Sequence, residues 1–482
     1  MTWVSPFVKQ CLVTFGVALN MMQMGLVMGI ATTMVPQLRE SVSSMRVDDN
    51  SGSWIAALPA FTFLIGNLSM PTVMGKFGRK IANLTCITIT FMSWIGVIFA
   101  SSITILLIAR CFQGIGIGMT SILGSVSVGE YTSPKNRGPF LMALSVAISF
   151  GVFLVHTLGL YLHWKNVAVI CGVTSMLDLV IMAFAPESPA WLADQGKYDE
   201  CSKTFRWLRG DKEEEELKKM IDGSILTTKN LKSDGESKGQ KAKLAENITY
   251  YISMMKKKEV YKPIIIMIHV YTMAQWSGVN LFASYAVDVT RLVAGADTDI
   301  TVIVTTFDVQ RMISNAVALV IIKHVKRKTM LLMTVCLNVL AMFALALYAV
   351  TKMYDMLPVG NIYIGLTLAH IHMFSVAIGA LPIAVILAGE IFPLKYKGIA
   401  GAISSIGLSV NMFSNVKTVP FLFNSIGLHG TYLLYCGVLI YCLVVVSLLL
   451  PETKDKTLQE IEDNFRRSKT VQRQDTEKCG IE

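Results

Sequence analysis

The sequence predicts an all-α membrane protein, with twelve transmembrane helices arranged as two six-helix halves. Three observations predict it. Charged residues make up 16% of the 482-residue chain and hydrophobic ones 53%, whereas about 25% of an average soluble protein is charged. The charge that is present is concentrated between long apolar runs. Several short motifs of the first half recur, in the same order, in the second.

The apolar runs are taken first. A span needs roughly 20 apolar residues to cross about 30 Å of hydrocarbon. Runs of that kind occupy residues 9–31, 54–74, 82–101, 103–128, 139–162, 165–185, 263–290, 300–322, 329–350, 360–388, 398–422 and 429–450. Helix is the structure they require, because an open strand in lipid leaves backbone groups unpaired. The first run is too long for a cleaved signal peptide. The nine cysteines lack metal-ligand spacing, and neither a disulfide nor a cofactor is expected.

Charge placement gives an expected orientation. Lys and Arg gather in 75–80, 133–138, 186–262, 323–328, 395–397 and 451–482, alternating with segments poor in both. The positive-inside rule places the basic segments, and with them both termini, in the cytoplasm. The formal net charge of +10 then reflects topology rather than nucleic-acid binding, for which no aromatic-rich basic domain is present.

The repeats divide the chain. Gly129-Glu130 followed by Arg137-Gly138 recurs as Gly389-Glu390 followed by Lys397-Gly398, and Pro186-Glu187-Ser188 as Pro451-Glu452-Thr453. Phe77-Gly78-Arg79-Lys80 has a weaker echo in Lys326-Arg327-Lys328. The expected organisation is a six-helix half at 1–185, a cytoplasmic linker with short helices at 186–262, a second half at 263–450 and a cytoplasmic tail at 451–482. Tyr198 to Leu208 has an amphipathic helical pattern. The stretch near 222–245 and the tail after about 465 are expected to be disordered. A duplicated carrier binds its solute near the midplane, between its halves.

The repeated charges suggest a switch. A carboxylate and a cation at helix ends contribute little net stability in a partly dry interface, but their pairing can hold one side shut. The expected inner-gate network is Arg79, Glu130, Arg137 and Glu187 with Arg110 in the first half, and Arg327, Glu390, Lys397 and Glu452 in the second. The competing reading is ordinary topology-setting charge.

These motifs resemble the sugar porter branch of the major facilitator superfamily over residues 10–460. Pro186-Glu187-Ser188-Pro189-Ala190-Trp191-Leu192, Gly389-Glu390-Ile391-Phe392-Pro393 and Pro451-Glu452-Thr453-Lys454 carry the resemblance. So does Gln275-Trp276-Ser277-Gly278-Val279-Asn280, which is similar to the family's seventh-helix sugar motif. Gly52-Ser53-Trp54-Ile55 after a short first loop is similar to insect facilitated trehalose transporters. The resemblance implies the major facilitator fold and a sugar substrate, trehalose or a hexose, moved downhill by alternating access at the plasma membrane by a monomer. It implies no enzyme activity.

A neutral polyhydroxylated solute calls for amides that both donate and accept. The candidate substrate residues are Gln275, Ser277, Asn280, Tyr285, Asn411, Asn415 and Arg311. Gln275 and Asn280 do not share one ideal helical face, and Gly278 permits the break that would let both face a cavity. The bland reading of each amide is an interhelical hydrogen bond. Departures from the family pattern stand at Ala274, Val385 and Met412, so aromatic walls are reduced. Arg311 lies one turn from Asp308 inside a span, where ionisable groups read as functional. It either neutralises Asp308 or meets substrate. The first span holds no acid, Val27 standing where proton-coupled relatives have one, which favours uniport. A non-transporting sugar sensor, and a carrier of a polyol or organic anion, remain as alternatives.

Overall fold

The computed structural model describes residues 5–40, 45–210, 213–233, 254–295, 299–354, 362–393, 396–454, 456 and 458–466. Among them it contains helices and no strand. In chain order the helices are α1 (Pro6–Arg39), α2 (Asp49–Ile98), α3 (Ile103–Tyr131), α4 (Pro134–Tyr161), α5 (Trp164–Ala183), α6 (Pro189–Asp194), α7 (Tyr198–Arg209) and α8 (Glu214–Ser233). After residues outside the description come α9 (Lys258–Trp276), α10 (Val279–Ser284), α11 (Ala286–Ala294), α12 (Ile300–His324) and α13 (Arg327–Met353). Next are α14 (Ile362–Ser375), a π-helical turn at Val376–Ala380, α15 (Leu381–Glu390), α16 (Lys397–Leu449) and α17 (Leu458–Arg466).

Local chemistry sets the helix starts. Ser5, Asp48 and Ser102 each accept a backbone N–H three residues on, at 3.4, 3.0 and 3.4 Å. Each satisfies one orphan donor of a first turn. Pro6 and Pro134 sit in first turns, where a missing N–H costs nothing. Hydrogen bonds from Ser51 hold the Asp48 carboxyl below its ordinary range.

Two helices are longer than any membrane requires. α2 runs for 50 residues and α16 for 53. Each is two helices joined at a glycine of positive φ, Gly78 at 88° and Gly427 at 68°. The sequence shows four apolar runs there. The structure shows them as two bent rods, each broken from helical dihedrals at a glycine, which reaches positive φ without steric cost.

Among the described residues, eight helices are long and apolar enough to cross a membrane: α1, α2, α3, α4 from Arg137, α5, α13, the continuous run Ile362–Glu390, and α16 from Ile399. The run α9 to α11 is interrupted, and α12 carries Asp308 and Arg311. Large apolar side chains face outward along the rods, among them Met92, Phe112, Val173, Met333, Leu340 and Leu448. A surface of that kind suits lipid rather than water.

The chain resolves into two compact units. The first comprises Met1–Ser237, Asn280–Ala316 and Met412–Asn424, and the second Lys238–Val279, Val317–Asn411 and Ser425–Glu482. In the first unit Val17, Met21, Met70, Met74, Cys86, Met119, Leu123 and Leu144 form a common core. Lipid is as apolar as leucine, so helices associate by close fit rather than by a hydrophobic drive. Gly114 and Gly118 of α3 supply that fit. A Cβ on Gly118 would stand 2.1 Å from the Phe63 carbonyl oxygen, and one on Gly114 would stand 2.3 Å from that of Pro59.

Short helices follow the first five. Leu192, Ala193, Cys201, Phe205 and Leu217 join α6, α7 and α8 in a small core, and burial raises the pKa of the Cys201 thiol. Leu208 packs with Val13 and Tyr131, and the Gln10 amide donates to the Leu208 carbonyl at 3.1 Å. The amphipathic pattern at 198–208 is thus a docked helix. Helix α8 reaches Ser233, so residues 222–233 are helical where disorder was expected. Residues 234–253 and 467–482 lie outside the described residues.

Candidate substrate-binding and gating residues

The seventh apolar run breaks where its glycine allows. Helix α9 ends at Trp276, Gly278 adopts a φ of 92°, and α10 starts at Val279. A Cβ on Gly278 would stand 2.5 Å from the His372 ring. The break interrupts backbone pairing, which must be replaced inside a membrane. At the Ser277 carbonyl, His372 Nε2 donates at 2.7 Å and the Asn338 amide at 3.2 Å. The Ser277 hydroxyl turns back onto the Ala274 carbonyl at 2.8 Å.

Two of the candidate amides meet each other, and a third meets an indole. In the first unit the Asn280 amide donates to Asn415 Oδ1 at 3.1 Å, and the Tyr285 hydroxyl donates to the Val416 carbonyl at 3.0 Å. In the second unit the Trp276 indole donates to Asn411 Oδ1 at 3.0 Å and meets Tyr435 edge-on at 5.1 Å. Gln275 and Ser277 are buried in that unit as well. Asn411 and Asn415, one turn apart, therefore engage different partners. Sequence reasoning missed Trp276 as an aromatic beside a candidate amide. The signal was present, since Trp276 lies inside the quoted motif. Val385 is 73% exposed and Met412 is buried.

Arg311 has a partner. Its guanidinium donates to Asp308 Oδ1 at 2.7 Å, one turn back on α12. The other carboxylate oxygen lies 2.7 Å from His156 Nδ1, on α4. His156 Nε2 lies 3.2 Å from the Ala283 carbonyl oxygen of α10, which also accepts from the Thr32 hydroxyl at 3.2 Å. All three ionisable side chains are nine-tenths buried or more. The spacing of Asp308 and Arg311 pointed to their pairing. Nothing in the sequence pointed to His156 as the third member.

A second polar cluster was also missed. Arg39, at the end of α1, pairs with Asp49 at 2.9 Å and with Asp288 at 3.7 Å. Lys417 of α16 donates to Asn50 Oδ1 at 2.8 Å and Ser53 Oγ at 2.6 Å, and sits 4.5 Å from the Trp54 ring centre. The Asn424 amide donates to Asp49 at 2.7 Å. These residues come from four remote segments, and no local pattern links them.

The repeated charges adopt the same arrangement twice. In the first unit the Arg79 guanidinium meets Glu130 at 2.6 Å, while the backbone N–H of Arg79 donates to Glu187 at 2.7 Å. The Ser188 hydroxyl donates to Glu130 at 2.5 Å. In the second unit Arg327 faces Glu390 at 3.7 Å, its backbone N–H donates to Glu452 at 2.9 Å, and the Thr453 hydroxyl donates to Glu390 at 2.7 Å. Both arginines also donate to a carbonyl five residues back, Met74 at 3.3 Å and Ile322 at 2.6 Å. Arg137 holds the Gly129 carbonyl at 2.8 Å. The side chain of Lys397 lies outside the described residues.

Arg110 is a correction. It was expected beside Glu130, but both lie on α3 and twenty residues separate them, roughly 30 Å at about 1.5 Å per residue. It is buried and donates to the carbonyls of Ile55 and Val27, each at 2.8 Å, and to Gln113 at 2.7 Å. It braces α1 and α2 instead of joining the charge network.

The profile of the family described as "Sugar (and other) transporter" matches residues 11–465. The chain belongs to that family. The family is one of transporters, and with its long apolar helices the chain is a multi-pass membrane protein. It is 26% identical to the facilitated trehalose transporter Tret1 of Aedes aegypti over 94% of this chain and 54% of that protein. It is 25% identical to Tret1 of Culex quinquefasciatus over 94% and 85%. It is also 25% identical to the mouse facilitated glucose transporter member 8 of solute carrier family 2, over 94% of each. The porter thus spans about half the length of the Aedes protein and most of the other two. Among solved structures it is similar in fold to the inward open xylose transporter XylE from E. coli. The TM-score is 0.73 at 19% identity, over 95% of this chain and 99% of that one.

Proposed function

We propose that this porter is a facilitative carrier of a neutral sugar, trehalose or a hexose, working by alternating access. The observation that carries the reading is the break at Gly278, followed at once by the buried amide pair Asn280–Asn415. Gln275, Ser277, Asn280, Tyr285, Asn411 and Asn415 are assigned to the sugar, with Trp276 as an aromatic wall. Amides and hydroxyls suit a solute with many hydroxyls and no charge. The names of the insect relatives favour trehalose. The pairing of Arg311 with Asp308 argues against an organic anion.

The proposed topology has twelve crossings. Each bent rod supplies two, the broken run α9 to α11 one, α12 one, and the six remaining long segments one each. The halves are 1–185 and 263–450, joined by 186–262 and followed by a tail at 451–482. Basic segments favour cytoplasmic termini, and the plasma membrane is the proposed residence. The networks Arg79–Glu130–Glu187 and Arg327–Glu390–Glu452 are assigned to the inner gate, with Arg137 and Lys397. Uniport is favoured because α1 carries no acid between Lys9 and Arg39. The carrier is proposed to act as a monomer.

Radiolabelled uptake in a transporter-deficient cell tests this, against a panel of trehalose, hexoses, polyols and organic anions. Saturable trehalose or hexose uptake without accumulation above equilibrium is expected. Absence of all uptake, with surface delivery shown, would move the assignment to a sugar sensor.

A further inference from the structure

We infer that His156 is a proton-binding site whose proton favours the conformation in which α4 closes against α10 and α12. The inference rests on the alternating-access reading, but its first test does not depend on any substrate.

The argument starts from the two ring nitrogens. Nδ1 lies 2.7 Å from the Asp308 carboxylate and Nε2 lies 3.2 Å from the Ala283 carbonyl. Both neighbours are acceptors only. A neutral imidazole has one N–H, so one of its nitrogens would turn a lone pair toward an oxygen lone pair. The imidazolium has two N–H groups and satisfies both contacts. A buried polar contact of the wrong polarity is costly, so this geometry selects the protonated ring.

The surroundings agree. Among the described residues, Asp308 of α12 is the charged group in contact with the ring, and Arg311 pairs with its other oxygen. α10 contains no titratable residue. α1 contributes Gly29, whose Cβ position is 3.4 Å from the ring, and has no charged residue between Lys9 and Arg39. On α4 Arg137 is near the opposite end. Ala283 O lies near the C-terminal end of α10, where partial negative charge favours a cation. One carboxylate thus stands between two cations, with the carbonyl as the second acceptor.

The conformational link follows from chain position. α4 belongs to the first sequence repeat, and α10 and α12 to the second. Movement that separates them removes both acceptors from His156. The imidazolium then returns one proton to water and becomes neutral imidazole. By linkage, protonation stabilises the closed arrangement, and raising pH favours opening. One linked proton changes the closed-to-open ratio at most about tenfold per pH unit.

The first test is nitrogen NMR of histidine-labelled carrier in lipid nanodiscs, with His156→Gln to assign the signal. A doubly protonated His156 is expected, converting to neutral imidazole in Asp308→Asn. A neutral ring with one bare nitrogen in the wild type, under conditions where the outer side is closed, would overturn the assignment. The second test is pulsed electron-spin distance measurement between labels at the exposed residues Tyr161 and Asp299. The short-distance population is expected to grow as pH falls in the wild type and to be independent of pH in His156→Gln. A population unmoved by pH in the wild type refutes the linkage, whether or not any sugar is carried.

Discussion

At the scale of single residues, the decisive fact is which polar atoms face one another. Asn280 donates to Asn415 at 3.1 Å, a neutral hydrogen bond with a net worth of about 0.5–1.5 kcal/mol. Asn280→Ala and Asn415→Ala are each expected to weaken apparent sugar affinity about 2–10-fold, and the double variant by less than the product. A double-mutant cycle on uptake checks this, and strict multiplicativity would show that the two amides act separately. Arg311 makes a different prediction. Removing one partner of a buried ion pair costs about 3–5 kcal/mol, so Arg311→Gln should lower thermal stability in detergent. Arg311→Gln combined with Asp308→Asn should recover part of the loss. Unchanged substrate range in the double variant would confirm that Arg311 does not contact the solute.

At the scale of helices, glycine conformation controls the breaks. Gly278 and Gly78 both have positive φ, and a Cβ on Gly78 would stand 2.2 Å from a Glu187 carboxylate oxygen. Gly278→Ala is expected to remove at least 90% of uptake, because alanine resists the backbone angle and meets His372. Gly78→Ala is expected to disturb the Arg79 and Glu187 contacts instead, seen as altered gating with the sugar site intact. The two variants separate the roles if Gly278→Ala loses equilibrium sugar binding and Gly78→Ala retains it. The break at Gly278 was legible from one residue inside a motif. The bend at Gly78 was not, because charges at 75–80 look the same in a loop and at a kink between two helices. The later part of α8, residues 222–233, was read as disorder for a related reason: its polar composition resembles disorder, and it continues a helix whose start is packed through Leu217 against α6 and α7.

At the scale of the whole molecule, duplication predicts equivalence. Glu187 and Glu452 accept the backbone N–H groups of Arg79 and Lys80, and of Arg327 and Lys328, in the same way. A charge-assisted hydrogen bond is worth about 1.5–3 kcal/mol. Glu187→Gln and Glu452→Gln are therefore expected to shift the conformational equilibrium in the same direction, each by about tenfold or more. Accessibility of an outer-end label measures it, and shifts of opposite sign would contradict equivalent roles in one gate.

The sequence by itself determined the helical class, the apolar runs, the repeat and the family, because each depends on composition or on residues close together in the chain. It also marked Gly278 and the pairing of Asp308 with Arg311, which are local. Only the tertiary structure decided which distant partners meet. It joined His156 to Asp308, Lys417 to Asn50 and Ser53, and Trp276 to Asn411, and it moved Arg110 from the charge network to the carbonyls of Val27 and Ile55. The physical reason is that a buried polar group must find a partner, and the chain's local pattern states that need without saying which remote helix will meet it.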